Sequence, residues 1–249
     1  MIPVSEKDLL AKLDPTRLPR HVGIIMDGNG RWAKIHGFKD RTQGHQAGIE
    51  AVRVSTRAAA ELRLFALTLY AFSEENWARP GYEINFLMRL LSQFLKEEIP
   101  ELMENNIRLI ASGRLHRFPE DCLRQLEETM RTTEKNTGLL LNLALSYGGR
   151  AEIVDAVSRI LKDAEAGKIS EGDLSEQLIG RYLYHPELPD PDLIIRTSGE
   201  FRTSNFLLWE AAYAEYYITD VLWPDFNKSI FLEALVDYQK RERRYGGVR

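Results

Sequence analysis

Cysteine is all but missing from this 249-residue sequence. The single thiol, Cys122, can close no intrachain disulfide and supply no multi-cysteine zinc site, so a reducing, cytoplasmic setting is expected. Long apolar runs are missing too. The longest, such as Leu139 to Tyr147, are strand-sized, well short of the ~20 residues that cross a bilayer. The opening residues, Met1 to Asp8, mix charges of both signs and lack the apolar stretch of a secretory signal. Neither sign of charge dominates: 33 Lys+Arg against 37 Asp+Glu give a net charge of −4, which leaves no basic footprint for nucleic acid. No Gly-x-x-x-x-Gly-Lys-Ser/Thr loop occurs, which argues against nucleotide-driven chemistry. The histidines, His21, His36, His45, His116 and His185, are scattered without a Ser–His–Asp signature. Repeats, low-complexity tracts and long linkers are also absent.

What is there is an ordinary globular composition, 44% hydrophobic and 28% charged, enough for a packed core. Six strands are expected, at Val22–Asp27, Ala66–Phe72, Ile107–Ser112, Leu139–Ser146, Asp192–Thr197 and Glu215–Thr219. Helical patterning fills the intervals at His45–Leu62, Pro119–Lys135, Ala151–Ala166 and Ser229–Arg244. A further amphipathic helix places Ile84, Leu87, Met88, Leu91, Phe94 and Leu95 on one stripe. Strands alternating with helices predict an α/β fold with a six-stranded, mainly parallel sheet flanked by helices. Residues 1–20 read as an N-terminal extension and 21–249 as a single domain.

Open α/β sheets bind ligands beyond the carboxyl ends of their strands, so the residues there carry the chemistry. After the first strand comes Asp27-Gly28-Asn29-Gly30-Arg31-Trp32. It reads equally as a turn capped by Asp27 and as a backbone cradle for an anion. In the second case Arg31 and Arg41 supply charge, and Asp27 needs a bridging cation such as Mg²⁺. The second strand runs into Ser73-Glu74-Glu75-Asn76-Trp77-Ala78-Arg79. A serine cap explains Ser73 with Glu75 or Asn76, but not Trp77 and Arg79. The fourth ends in a Gly-rich turn, Gly148-Gly149. The fifth ends in Arg196, Ser198, Arg202, Thr203 and Ser204, a second set suited either to a diphosphate or to surface ion pairs. Asp27, Asn76, Arg79 and Arg196 come from three strands and should converge at one sheet edge. Glu215, opening the sixth strand, is a candidate to join Asp27 on one metal, and His45 near the first loop reads as structural more readily than catalytic.

These blocks resemble a known family. His21–Trp32 (H-V-G-I-I-M-D-G-N-G-R-W), Gly44-His45, Tyr70–Trp77 with Arg79-Pro80, Asn142–Gly149, Asp192–Asn205 with Phe206-Leu207-Leu208-Trp209, and Tyr213–Phe226 are similar, in order and spacing, to cis-prenyltransferases of the bacterial undecaprenyl diphosphate synthase type. The resemblance implies a Mg²⁺-dependent enzyme that adds isopentenyl diphosphate in cis to an allylic diphosphate such as farnesyl diphosphate, making a long-chain polyprenyl diphosphate for cell-wall biogenesis. A short- or medium-chain product is the alternative. It also implies a homodimer with a hydrophobic tunnel. By the same resemblance Gly28, Asn29, Gly30, Arg31, Arg41 and Arg79 would hold the allylic diphosphate, Trp32, His45, Glu74, Glu75 and Trp77 would also bind substrate, and Ser73 would stand with Asn76 near the transferred proton. Arg196, Arg202, Thr203 and Ser204 would hold isopentenyl diphosphate. Asp27 and Glu215 would bind the metal, Asp27 and Asn76 would be catalytic, and Arg244 and Gly246 would reach the partner's site. Ala71 and Leu139 correspond to tunnel entrance and floor. Phe201 stands where relatives carry a histidine beside the metal, and Ser198 replaces a common glycine. A non-catalytic partner subunit would have lost the aspartate and arginines retained here. Membrane contact during product release is a further expectation.

Overall fold

Every predicted strand is present in the computed structural model, which describes residues 5–242. They are β1 (His21–Ile25), β2 (Ala66–Ser73), β3 (Arg108–Ser112), β4 (Leu140–Tyr147), β5 (Leu193–Arg196) and β6 (Glu215–Ile218). They form one six-stranded sheet in the order β3-β4-β2-β1-β5-β6. All five pairings are parallel, so "mainly parallel" becomes wholly parallel. From β1 the chain passes to β2 beside it, out to β3 at the edge and back to β4 between them, then crosses to the other side of β1 for β5 and β6. The carboxyl end of β1 is therefore where strand order reverses, the crevice in which such sheets bind ligands.

Alternation along the strands sorts side chains onto two faces. Val22, Ile24, Leu67, Leu69, Leu141, Leu143, Leu193 and Ile195 join the main core with residues of α3 (Thr42–Glu61), α4 (Gly81–Glu104), α5 (Glu120–Thr133) and α8 (Lys228–Gln239). Ile25, Ala144, Tyr147 and Ile194 face a smaller aromatic cluster with Phe206, Leu207, Tyr70 and Tyr184. Both faces are covered, which is why these strands read as nearly continuous apolar runs. Gly23 has to be small: a Cβ there would lie 2.6 Å from Ile194 and 3.0 Å from Phe206.

Three helices escaped the sequence reading: α1 (Glu6–Lys12), α2 (Asn29–Ile35) and α7 (Glu176–Arg181), the remaining helix being α6 (Gly149–Glu165). All three missed helices are short, and Gly-Asn-Gly at the start of α2 reads as a turn. The described residues before β1, from residue 5 on, pack against the domain. Leu9 is buried, and Gln239 of α8 exchanges two hydrogen bonds with the Asp14 backbone, at 3.0 and 2.7 Å. Predicted α8 residues 243 and 244 lie outside the described residues. Pro100 sits inside α4 without ending it.

A buried polar relay crosses four strands. Ser112 donates to Asn142 Oδ1, Asn142 donates to Thr68, Thr68 meets His21 Nε2 at 2.7 Å, and His21 Nδ1 donates to the Pro189 carbonyl at 2.6 Å. The Pro189 carbonyl fixes the proton on Nδ1, and Thr68, which already accepts from Asn142, is left to donate to Nε2, so the imidazole is neutral; burial holds His21 down to a pKa of about 4.

Candidate active site

The residues beyond β1 and β2 open onto a cavity of 470 Å³. Its mouth carries Asp27, Gly28, Asn29, Gly30, Arg31, Arg41, His45, Asn76 and Arg79; its depth is lined by Ile49, Val52, Leu69, Leu91, Phe94 and Leu143. Polar head and apolar body are thus separated along one cavity. Ala71 lies on its wall, as expected for an entrance position. Leu139 does not line it: it precedes β4 and packs in the main core, so the expected floor position is displaced from the cavity.

Local backbone explains the mouth. Gly28 caps α2 with φ 112°, a left-handed conformation that glycine adopts without strain, and no side chain caps the helix there. Gly44, at the start of α3, lies so close to α2 that a Cβ would fall 1.9 Å from the Asn29 carbonyl oxygen. Next to Gly30 stands the Arg41 guanidinium, with Nε 3.1 Å from where a Cβ would be. Small residues at 30 and 44 thus let Arg41 and the start of α3 pack directly against the start of α2.

That positive charge is balanced by a residue the sequence reading missed. Glu83, in the first turn of α4, is 1% exposed and lies 2.9 Å from Arg79, 3.5 Å from Arg41 and 3.5 Å from His45. Nothing in the sequence separated it from an ordinary solvated helix charge, although its i,i+4 spacing from Arg79 was a usable signal. Burial, then the charges of Arg79 and Arg41, push His45 down to about 4. The imidazole is neutral at physiological pH, so the cationic character of the mouth comes from Arg31, Arg41 and Arg79, with Lys34 also on the cavity wall.

Asp27 is the junction between the two predicted clusters. Its Oδ2 accepts from Arg196 Nη2 at 2.9 Å and lies 3.6 Å from Arg31. Thr197, also missed, clamps the Asp27 backbone: its hydroxyl donates to the Asp27 carbonyl at 2.6 Å and accepts from the Asp27 N–H at 2.9 Å. Arg196, 3% exposed, also donates to Ser204 Oγ at 2.8 Å and to the Arg202 carbonyl. Arg31 donates to the Ser198 carbonyl at 3.0 Å and to its hydroxyl. Ser198 occupies φ 76°, a left-handed conformation that strains a residue other than glycine. Arg202 is exposed and pairs with Glu200. Among the described residues, the buried polar atoms without a partner include Asn29 Oδ1 and Arg196 Nε, both in this site. Buried donors and acceptors are nearly always satisfied, so these two mark where a polar ligand would bond.

Other expected residues have framework roles. Asn76 Oδ1 accepts from the Ser73 N–H at 3.2 Å in a capping box, so the serine-cap reading holds with Asn76 as partner. Glu74 binds Ser146 and Arg117; Glu75 accepts from Asn205 at 2.9 Å. Trp77 donates to Ser146 Oγ at 2.8 Å beneath Arg117, and Trp32 donates to Asp225 at 2.8 Å. Thr203 lies in the loop beyond β5, between Arg202 and Ser204. Arg244 and Gly246 lie outside the described residues.

Glu215 does not meet Asp27 within one chain. Register pairs Glu215 with Leu193 and Leu193 with Val22, five residues before Asp27. Parallel strands therefore separate the two carboxylates by about 16 Å along the sheet, and Glu215 accepts from Arg241 at 2.8 Å. Among the described residues no cluster of three or more His, Cys, Asp or Glu could hold a metal ion. The donor set at the mouth instead fits a cation held by one carboxylate, Asp27, together with substrate phosphate oxygens and water, the usual manner of Mg²⁺.

A parallel α/β sheet whose switch-point crevice joins an arginine-rich mouth to an apolar cavity defines a protein built for an amphiphile with an anionic head. Comparison with known proteins narrows this. Residues 25–246 match the prenyltransferase family model described as "Putative undecaprenyl diphosphate synthase". The chain is 49% identical over 248 residues to an isoprenyl transferase of Streptococcus pneumoniae, covering 98% of each, and 52% identical over 235 residues to one of Streptococcus pyogenes, covering 93% of this chain and 94% of that one. Lavandulyl diphosphate synthase from Lavandula x intermedia, solved with dimethylallyl diphosphate, superposes with TM-score 0.91 at 35% identity, over 93% of this chain and 100% of that one. A probable undecaprenyl diphosphate synthase of Campylobacter jejuni gives 0.77 at 32%, over 92% and 99%. The chain belongs to the undecaprenyl diphosphate synthase family of cis-prenyltransferases, and it is an enzyme that transfers prenyl groups.

Proposed function

We propose that the protein condenses isopentenyl diphosphate onto an allylic diphosphate, with farnesyl diphosphate as starter, to make a long-chain polyprenyl diphosphate, undecaprenyl diphosphate, for cell-wall glycan carriage. The observation that carries this is the single cavity in which Arg31, Arg41 and Arg79 surround the mouth and aliphatic side chains line the depth. The head would be held by the arginines and the backbone of 28–30. The growing chain would be buried below, where each CH₂ gains about 0.8 kcal/mol. That the lavandulyl enzyme was solved in complex with dimethylallyl diphosphate supports an allylic diphosphate as substrate.

Arg196 would position isopentenyl diphosphate: its Nε is free, its other nitrogens are fixed by Asp27 and Ser204, and Arg202 stands nearby. As the allylic C–O bond breaks, negative charge develops on the departing diphosphate, and pre-placed guanidinium groups stabilise it without reorganisation. Two substrates held side by side also turn a bimolecular reaction into an intramolecular one. The apolar cavity would keep water from the allylic cation, and Asn76 on the cavity wall would stand near the transferred proton, whose acceptor is Asn76 itself, a water or a diphosphate oxygen. Mg²⁺, held by Asp27 and the diphosphate, would add Lewis-acid neutralisation of the leaving group.

The active form we propose is a cytoplasmic homodimer. Val154, Val157 and Leu161 of α6, at 60%, 43% and 59% exposure, form an apolar stripe that the single chain leaves uncovered. No described helix is long and apolar enough to cross a membrane. Release of the product would instead use peripheral contact through exposed Ile35 and Phe38, next to Lys34 and Lys39. Absence of vesicle co-sedimentation, with and without product, would remove that part.

The test of product class is incubation with labelled isopentenyl diphosphate and several allylic starters, with chromatography of the extracted products. A ladder ending at undecaprenyl diphosphate from farnesyl diphosphate is expected. A product stopping after one or two additions would move the protein to the short-chain class.

A further inference from the structure

Helices α3 and α4 form two walls of the cavity through Ile49 and Val52 on one side and Leu87, Leu91 and Phe94 on the other. Both begin at the mouth, since Gly44 abuts Asn29 and Glu83 meets Arg41 and His45. Both then run away from it. Immediately beyond Val52 and Phe94 the apolar lining ends and the two helices are joined by ion pairs. Arg53 Nε donates to Glu98 Oε1 at 2.6 Å and Nη2 reaches Glu97 at 3.4 Å. One turn further, Arg57 makes a two-pronged pair with Glu101, at 2.5 and 2.8 Å. Glu50 lies 3.7 Å from each arginine.

Leu95 and Leu102 of α4 and Ala58 and Ala59 of α3 carry the packed core past this end on their inner faces, but the cavity-lining face turns polar. Positions 87, 91, 94, 98 and 101 share one helical face, yet its last two are carboxylates. Glu98 is nearly buried, at 8% exposure of its side chain, while Arg57 is 44% exposed. Water-exposed pairs of this kind contribute little to overall stability. Their bidentate geometry does fix a separation, and they open more readily than a packed core.

We propose that this ladder, Arg53 with Glu97 and Glu98 and Arg57 with Glu101, is the latch at the far end of the cavity: it fixes the spacing of α3 and α4 below the growing chain and so sets the longest product. The proposal rests on the prenyl-elongating function proposed above. Arg53 and Arg57 are positioning residues; none of the three latch carboxylates or two arginines lines the mouth.

The experiment compares product lengths made from farnesyl and labelled isopentenyl diphosphates by the full-length wild type, Arg53→Met, Arg57→Gln, and the charge-exchanged pair Arg57→Glu/Glu101→Arg. Circular dichroism reports folding. Each single variant is expected to shift the main product upward by at least one five-carbon unit, while the first condensation proceeds at the wild-type rate. The exchanged pair is expected to return the distribution to wild type, which a merely structural role would not do. Arg57→Gln, at the more exposed pair, decides the matter if Arg53→Met does not fold. Unchanged lengths in the folded single variants, or shorter products, would overturn the latch. A folded wild type that makes no elongated product would overturn the proposed function, and the latch with it.

Discussion

Lowering the pH should withdraw stability at two particular histidines. His21 and His45 both fall from an ordinary value near 6.5 to about 4 in the folded protein, because burial disfavours the imidazolium. Below pH 6.5 the unfolded chain takes up protons at these sites and the folded protein does not, so stability falls with pH until the folded value is reached. Each pH unit in that window is worth about 1.4 kcal/mol. Relative to pH 7.5, each histidine should therefore remove about 2 kcal/mol at pH 5 and about 3 kcal/mol at pH 4. Glu210 works in the opposite sense. Burial and the nearby Glu152 raise it to about 8, so its contribution is full below about 4.5 and is lost as pH rises through 8. The wild-type curve is a sum, and variants separate its parts. Urea unfolding of wild type, His21→Gln and His45→Gln should show the loss between pH 7.5 and 5 smaller by about 2 kcal/mol in each variant. Equal losses in all three proteins would refute the assignment of neutral, buried imidazoles.

Two further substitutions test the geometry of the mouth. Gly44→Ala forces the Asn29 carbonyl aside, and overpacking of this kind should cost about 1–3 kcal/mol, read by thermal unfolding, with weakened allylic diphosphate binding in calorimetry. Arg196→Lys keeps the charge but cannot keep the fork that joins Asp27, Ser204 and Arg202; isopentenyl diphosphate KM should rise about ten-fold or more, while the allylic substrate is little affected.

The sheet was readable because its strands are buried on both faces, so they stand out as apolar runs between helical stretches. The converging site residues followed from one topological rule, since Asp27, Arg79 and Arg196 all lie past carboxyl ends of strands. The same rule argued against placing Glu215 with Asp27 in one chain, because Glu215 opens its strand and so stands at the other edge. Glu83 was illegible for a different reason: a carboxylate in a first helical turn normally faces water, and only tertiary packing of α3 against α4 buries it beside the arginines. Ser73 and Asn76 illustrate dual use, where a residue pattern that suits substrate contact is also a helix cap. Thr197 gave no signal beyond a hydroxyl at a strand end.

The most direct test of the account is incorporation of labelled isopentenyl diphosphate into extractable polyprenyl product by wild type and Asp27→Ala, side by side, with farnesyl diphosphate and Mg²⁺. The wild type should elongate the starter, and the variant, folded and still binding farnesyl diphosphate, should not. Near-normal turnover by Asp27→Ala, or a folded wild type that only hydrolyses the diphosphate, would contradict it.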